Sequence, residues 1–127
     1  MTAGRTLSAC GILAAAIVVS GETAEAKECS RSGSYHLTSA GPWQMRIRAR
    51  SGEACSAGFR AGGNMIFKRL FLVSAPQHGS ISLREGGHYT YSTQAGYRGP
   101  DSFMLRICGN EGGMDGCADL KYTVTID

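Results

Sequence analysis

The side chains that could do chemistry in this 127-residue chain are few and lie far apart in the sequence. His36, His78 and His88 are its only imidazoles, and none stands at the short spacing that metal-binding histidines use. No cysteine pair has the C-x-x-C spacing of a zinc ribbon or a thioredoxin-like redox site. The sequence therefore predicts no metal site, and it favours surface or turn positions for the three histidines.

Ser80, His78 and Asp101 have the residue types of a hydrolytic triad and fall within one segment. No G-x-S-x-G elbow surrounds Ser80, and His78-Gly79-Ser80 has the composition of a turn. A cysteine nucleophile would need an unpaired thiol beside a histidine. The sequence also has no phosphate-binding loop and no dinucleotide-binding glycine motif. We therefore predict no catalytic residue and no cofactor.

The segment 109–116 carries oxygen ligands in Asn110, Glu111 and Asp115, set among glycines. Calcium prefers such oxygen donors, but the segment lacks the D-x-D-x-D-G phasing and the final bidentate glutamate of an EF-hand. We interpret 109–116 as the polar loop of a hairpin, and the question of calcium stays open at this point.

Three arginines make the best candidate binding site in the sequence. In the segment WQMRIRAR, residues 43–50, the side chains of Arg46, Arg48 and Arg50 alternate with apolar ones. Strict alternation predicts a half-buried strand, which places the three guanidinium groups in a line, about 6.5–7 Å apart, on its exposed face. Arginine suits carboxylates, phosphates and sulfates, so we expect a protein or an anionic envelope glycan or lipid head group as partner. Nucleic acid is not expected, because no aromatic residue interleaves with the arginines.

Short stretches of the same alternation, separated by glycine-rich turns, follow along the rest of the chain, and no segment longer than a turn keeps helical spacing. This pattern predicts an all-β sandwich of about seven short antiparallel strands. Tyr35–Leu37 is the only candidate for a first strand, 51–64 is a connection, and a β-bulge or short turn at Lys68-Arg69 re-phases the next strand. Gly86-Gly87 reverses a hairpin, and 94–102 and 109–116 are loops.

Residues 1–26 have the features of a Sec-type signal peptide. Arg5 precedes the apolar run from Leu7 to Gly21, and Ala24-Glu25-Ala26 offers the small residues that a signal peptidase recognises. The apolar run is shorter than the roughly 20 residues of a spanning helix, so cleavage after Ala26 is favoured over an uncleaved anchor. We expect one domain, residues 27–127, secreted or periplasmic. Loss of Arg5, Glu22 and Glu25 would change its formal net charge from +3 to +4.

Four cysteines follow this cleavage point, and an even count in a secreted domain predicts two disulfides with three possible connectivities. The alternation of the flanking strands turns Cys108 and Cys117 outward on either side of one hairpin loop, so a cross-strand bridge between them is expected. Cys29 then pairs with Cys55 by elimination.

The order of motifs in the second half of the chain is similar to that of a known family. Pro76-x-His78-Gly79, Tyr89-x-Tyr91 and Gly96-Tyr97-x-Gly99-x-Asp101-x-Phe103 precede an alternating last strand. This order resembles the bacterial Ig-like and cadherin-like repeats of secreted and surface proteins, with Ser92 where the repeats usually have proline. The resemblance spans about Met65–Ile126 and implies an Ig-like sandwich acting as an extracytoplasmic interaction or structural module. The calcium found at junctions in some tandem arrays is not implied, since the acidic linker motifs are missing.

The residues of the corner motif also have expected structural roles that follow from their chemistry. Gly96 and Gly99 permit a sharp path between two sheets, and Tyr97 can plug the end of the core while Phe103 points inward. The Asp101 carboxylate can accept backbone N–H groups across the corner. We therefore expect structural roles for these residues and a non-enzymatic binding module overall. A small disulfide-stapled inhibitor or effector and a small β-sandwich hydrolase remain as alternatives.

Overall fold

The computed structural model describes residues 26–59 and 63–127, and within these ranges it contains nine β-strands and no helix. The strands are β1 (Ala26–Lys27), β2 (Ser30–Ser32), β3 (Trp43–Ala49), β4 (Ala54–Gly58), β5 (Met65–Ser74), β6 (Gly79–Arg84), β7 (His88–Thr93), β8 (Gly99–Glu111) and β9 (Met114–Ile126). The predicted signal peptide falls on residues 1–26, almost all of which lie outside the described ranges. Within the described ranges no helix is long and apolar enough to cross a membrane.

The strands form two sheets that pack as a sandwich, which confirms the predicted fold class. One sheet has the order β1-β4-β7-β6 and the other has the order β2-β3-β9-β8-β5. The sequence predicts antiparallel strands, but two of the pairings, β1 with β4 and β3 with β9, are parallel. The sandwich is therefore mixed. Both parallel pairs use strands from the N-terminal part of the chain, which join the edges of a sheet core built by the later hairpins.

The core lies between the sheets and is formed by the inward rows of the alternating strands. In β3 the side chains of Met45, Ile47 and Ala49 are buried while the intervening residues are exposed. The ring of Phe103 stacks on Tyr122 at 4.5 Å between centroids and on Tyr91 at 5.4 Å. Such offset aromatic pairs add about 1 kcal/mol each beyond the area that they bury.

Two expected irregularities are present where the alternation indicated them. The pairing of β5 with β8 shifts between Phe67 and Arg69, so Lys68 lies in a β-bulge. Gly86 and Gly87 both have positive φ, 81° and 79°, in the turn that joins β6 to β7. Glycine enters this region of backbone conformation without the steric cost that a Cβ would bring.

Several boundaries differ from the sequence prediction. Residues 35–37 are not a strand, and 51–64 contains the strand β4, whose Ala-Cys-Ser-Ala-Gly sequence carries no alternating signal and is held by pairing with β7. The loop predicted at 94–102 ends where β8 starts at Gly99. The loop predicted at 109–116 is only a two-residue turn, because Gly112 and Gly113 take the positive φ values that let β8 run on to Glu111 and β9 start at Met114.

A buried carboxylate joins the two sheets at one end of the sandwich. Asp101, on the inward row of β8, is only 7% exposed. Its oxygens accept the backbone N–H groups of Gln77 at 3.0 Å and His78 at 3.2 Å, ahead of β6, and that of Ser102 at 2.9 Å. The hydroxyl of Tyr91 on β7 donates to the same carboxylate at 2.7 Å. Burial, together with the hydrogen bond to this anion, raises the pKa of Tyr91, which keeps the phenol protonated as a donor.

A second carboxylate holds the opposite end. Gly109 and Gly116 are cross-strand partners, and a Cβ on either would fall within 2.2 Å of a backbone oxygen, of Ile66 and of Leu37 respectively. The missing side chains leave room for Leu37, which is 2% exposed although it belongs to no strand. The backbone N–H of Leu37 donates to Glu111 at 2.7 Å. Leu37 is thus a core residue supplied by a loop, held in place by Glu111.

We predict that Asp101→Asn lowers the free energy of unfolding by about 2–3 kcal/mol, because an amide replaces one acceptor oxygen with a donor that faces other donors. Tyr91→Phe removes one hydrogen bond and leaves the carboxylate otherwise satisfied, so we expect a loss of about 1 kcal/mol. Urea titration followed by tryptophan fluorescence measures both variants. Equal losses would contradict the role assigned to the backbone contacts of Asp101.

The contacts of Glu111 predict a pH dependence. The hydrogen bond from His36, at 3.1 Å, and that from the backbone of Leu37 lower the pKa of Glu111 below its ordinary value of 4.5. A lowered pKa in the folded state stabilises the fold above the unfolded pKa, and this stabilisation is lost as pH falls through the folded value. Between pH 6 and pH 3 the stability of Glu111→Gln should therefore fall less steeply than that of the wild type. Parallel curves for the two proteins would refute this.

Candidate binding surfaces

All four cysteines in the described ranges form disulfides, with the predicted connectivity. Cys29 is bonded to Cys55, with Cα atoms 5.3 Å apart, and joins the segment between β1 and β2 to β4. Cys108 and Cys117 are direct cross-strand partners with Cα atoms 4.1 Å apart. Among these cysteines there is consequently no free thiol to act as a nucleophile or a metal ligand.

The residue types of the hydrolytic triad are used for other contacts. The His78 ring stacks on the ring of Tyr97, with 3.8 Å between centroids and an angle of 2° between the planes. The oxygens of Asp101 accept from the backbone groups and the phenol described above, and the His78 imidazole is not among their donors. Ser80 lies exposed on β6 opposite Ser92. The three residues are brought near one corner without forming a catalytic arrangement.

The corner residues make structural contacts. Gly96 and Gly99 have φ of 85° and 128° on either side of Tyr97. The Tyr97 hydroxyl donates to the carbonyl of Pro100 at 2.6 Å, and its ring packs against the edge of the core. Phe103 is 2% exposed within the aromatic stack.

The oxygen donors of the segment 109–116 contact other groups of the protein. Asp115 accepts hydrogen bonds from Lys68 at 2.9 Å and Asn110 at 3.1 Å, and these bonds lower the pKa of Asp115. Glu111 points to the other face and holds Leu37. Over the described part of the chain, no group of three histidine, cysteine, aspartate or glutamate side chains is arranged to hold a metal ion.

The arginine row lies exposed on the outer face of the five-stranded sheet. Its middle member, Arg48, is engaged by Asp127, with Nε at 2.8 Å and Nη2 at 3.4 Å from the carboxylate oxygens. This pairing raises the pKa of Arg48 and lowers that of Asp127. Arg46 and Arg50 form no ion pair with any described residue. The central charge of the row is therefore already compensated. Arg48 and Arg50 also line an open cleft of about 400 Å³, to which Glu28, Glu53 and Asp127 contribute three carboxylates.

A second cationic surface, which the sequence did not indicate, lies on the other sheet. Arg31, Arg84 and His88 line one open cleft of about 510 Å³, together with the small residues Ser56, Ala57 and Gly58 and with Glu28. We call it the cationic cleft. Arg84 and His88 are cross-strand partners, and a Cβ at Gly58 would fall 2.5 Å from Nδ1 of His88. Glycine at that position thus gives the imidazole its place against β4.

Arg31 reaches this cleft from the opposite sheet. It is the inward-facing partner of Ile47 in the pairing of β2 with β3. Short β1 pairs only with Ala54 and Cys55, so it does not cover the part of the β4 edge beside which Arg31 lies. Burial raises the pKa of Tyr89, and the charge of Arg31 is one of the influences that oppose this rise. Arg31 and Arg84 are more than 50 positions apart in the chain, so no local sequence pattern could predict the cleft.

Comparison with known proteins identifies the family. Residues 60–125 match the bacterial Ig domain family, and this segment contains the corner motif and the strands β5 to β9, except for the last residue of β9. No curated protein shows significant similarity to the chain. Bacterial Ig domains are generally non-enzymatic, and the domain and the two disulfides are consistent with an extracytoplasmic protein. Because the match covers just over half of its length, the chain belongs to the bacterial Ig domain family.

Proposed function

We propose that this protein is an exported, non-enzymatic Ig module that binds an anionic group of the cell envelope in the cationic cleft. The group would be a phosphate, sulfate or carboxylate carried by a glycan or a lipid head group. The observation that carries the proposal is the convergence of Arg31, Arg84 and His88 from three different strands on one concave surface. Guanidinium groups donate paired hydrogen bonds to the oxygens of these anions.

The charges available in the cleft favour it over the arginine row. Neither Arg31 nor Arg84 forms an ion pair with a described residue. In the row, an incoming anion would compete with Asp127 for Arg48, and the cleft beside Arg48 and Arg50 is also lined by the carboxylates of Glu28 and Glu53. Glu28 is the acidic residue that lines the cleft, and its carboxylate limits the number of anionic groups that the cleft can hold.

The hydroxyl groups beside the cleft add uncharged partners for such a ligand. Ser56 and Thr90 are cross-strand partners, and their hydroxyl oxygens are 2.8 Å apart. One hydroxyl donates to the other, which leaves the pair one proton to donate and free lone pairs to accept, as the hydroxyl groups of a sugar require. This combination of two guanidinium groups, an imidazole and hydroxyls fits an acidic glycan as well as a lipid phosphate.

Export is part of the proposal and rests on the signal-like features of residues 1–26 and on the disulfides. Disulfides persist in oxidising compartments such as the bacterial periplasm. We expect that N-terminal sequencing of the protein purified from a periplasmic or culture-medium fraction begins at Lys27. A cytoplasmic protein that retains residues 1–26, with its cysteines in the thiol form, would contradict export.

For the binding surface we predict that Arg31→Glu lowers the affinity for immobilised heparin at least tenfold, because it reverses one charge in the cleft. Arg46→Glu makes the same change in net charge on the arginine row and serves as the matched control, with an expected change of less than twofold. Melting temperatures of both variants verify that the fold is intact. A larger loss for Arg46→Glu would assign binding to the row.

A parallel measurement with vesicles of phosphatidylglycerol distinguishes the two sources of the anion. Stronger loss by Arg31→Glu on heparin alone indicates a glycan, and stronger loss on vesicles alone indicates a lipid head group. Repeating each measurement at 0.5 M salt separates charge-dependent binding from apolar adsorption, because the Debye length there is only a few ångströms.

A further inference from the structure

Large exposed apolar side chains are concentrated on one edge of the sandwich. Among the described residues, six large apolar side chains are more than a third exposed, namely Ile66, Phe71, Leu72, Val73, Leu83 and Met114. Four of these six lie on β5, and Leu83 lies on β6, the edge strand that faces it. Exposed apolar side chains gathered in one place mark an interaction surface more often than the same residues scattered singly.

The backbone of β5 is open along one side. β5 is the last strand of the five-stranded sheet, and among the described strands β8 is its one partner. At ten residues it is longer than most strands, and two register shifts, at Phe67/Arg69 and Leu72/Ser74, twist it locally. An edge strand of this kind presents unpaired N–H and C=O groups that another chain can use.

A groove runs between this edge and the hairpin of the other sheet. It has a volume of about 390 Å³ and is lined by residues 67–71 on one side and residues 83–87 on the other. Its walls include the apolar side chains of Phe67, Leu70 and Leu83. The glycines of the hairpin turn line it without side chains that would fill it. The groove thus offers side-chain space directly beside an unpaired strand.

The charged side chains along the groove indicate which kind of segment could bind there. Lys68 is paired with Asp115, whereas Arg69 makes no ion pair with a described residue and its guanidinium lies 5.7 Å from the ring centre of Phe71. Arg84 adds a further cation, against one acidic residue, Glu85. A second copy of this chain, paired through its own β5, would bring two Lys68-Arg69 sequences together. The balance of charge therefore favours an acidic segment over a second copy.

We propose that β5 binds an extended segment of a partner protein as an added strand, and that this segment alternates apolar with acidic residues. Backbone hydrogen bonds to the free edge would supply affinity. Because successive side chains of a strand point to opposite faces, the apolar residues would enter the groove and the acidic residues would lie on the outer face of the sheet. Arg69 shares that outer face with its cross-strand partner Cys108, so it can pair with them. The site is separate from the cationic cleft, with Arg84 the one residue that lines both.

The test uses the full chain as it is exported and a ten-residue peptide that alternates valine with glutamate. We expect saturable binding at millimolar or lower peptide concentration, with new hydrogen-exchange protection of amides in 65–74. A valine–lysine peptide should bind at least tenfold more weakly, and Arg69→Glu should reverse this preference. Arg46→Glu, equal in charge change but remote, should keep it.

Three results would overturn the proposal. The first is binding that leaves the amides of β5 unprotected, and the second is no saturable binding by either peptide. The third is a dimer in sedimentation whose β5 amides are protected without peptide, which would assign the edge to a second copy. Arg31→Glu should bind the peptide like the wild type, so failure of the cationic cleft and failure of this site are distinguishable.

Discussion

The two carboxylates on the inward row of β8 are the contacts on which the rest of the sandwich depends. Asp101 lies near the start of that row and Glu111 lies at its end, with the aromatic and aliphatic core between them. Each accepts N–H groups from a segment that is not a strand, the 77–78 turn in one case and the loop before β3 in the other. A two-sheet core is open at its ends, and unpaired backbone groups there would be costly to bury. The long strand β8 thus carries, at both ends of the core, a carboxylate that accepts hydrogen bonds from these backbone N–H groups.

Much of the fold could be predicted because its signals are local. Alternation in 43–49 is decided by neighbouring residues, and the glycine pair at 86–87 is required by the turn itself. The Cys108–Cys117 bridge followed from the same parity, because both cysteines leave the outer side of one hairpin. Those predictions required only the geometry of a pleated strand, in which side chains alternate between faces.

The errors arise where tertiary contacts decide. β4 has a sequence of small residues that could form almost any structure, and pairing with β7 and the bond to Cys29 make it a strand. Tyr35–Leu37 is the only candidate for a first strand in the sequence, but Leu37 belongs to no strand. It is buried instead because Gly109 and Gly116, more than 70 residues away, leave a space of its shape. The sequence predicts a loop over 109–116, but the pairing of β8 with β9 continues to Glu111 and Met114 and leaves only 112–113 as the turn.

The candidate site shows the same limit. The arginine row was visible because its members stand two residues apart, yet its central charge is compensated by Asp127, the last residue of the chain. The cationic cleft could not be predicted from the sequence, because its cationic residues come from three strands, β2, β6 and β7. Periodicity reports which residues share a face of one strand, whereas a binding site is assembled from several strands.

The two edges of the sandwich have opposite character, and this asymmetry follows from the strand order. On one side the short strands β1 and β2 and the disulfide to Cys55 flank the sheets, and the remaining gap at β4 is lined by the charged side chain of Arg31. On the other side β5 and β6 face each other across a groove, with apolar side chains in contact with water. Proteins usually protect free edges with charge, bulges or a covering strand. β5 has the bulges and the charges of Lys68-Arg69, which disfavour pairing with itself, but it keeps an apolar surface that these devices leave open to a segment of opposite charge.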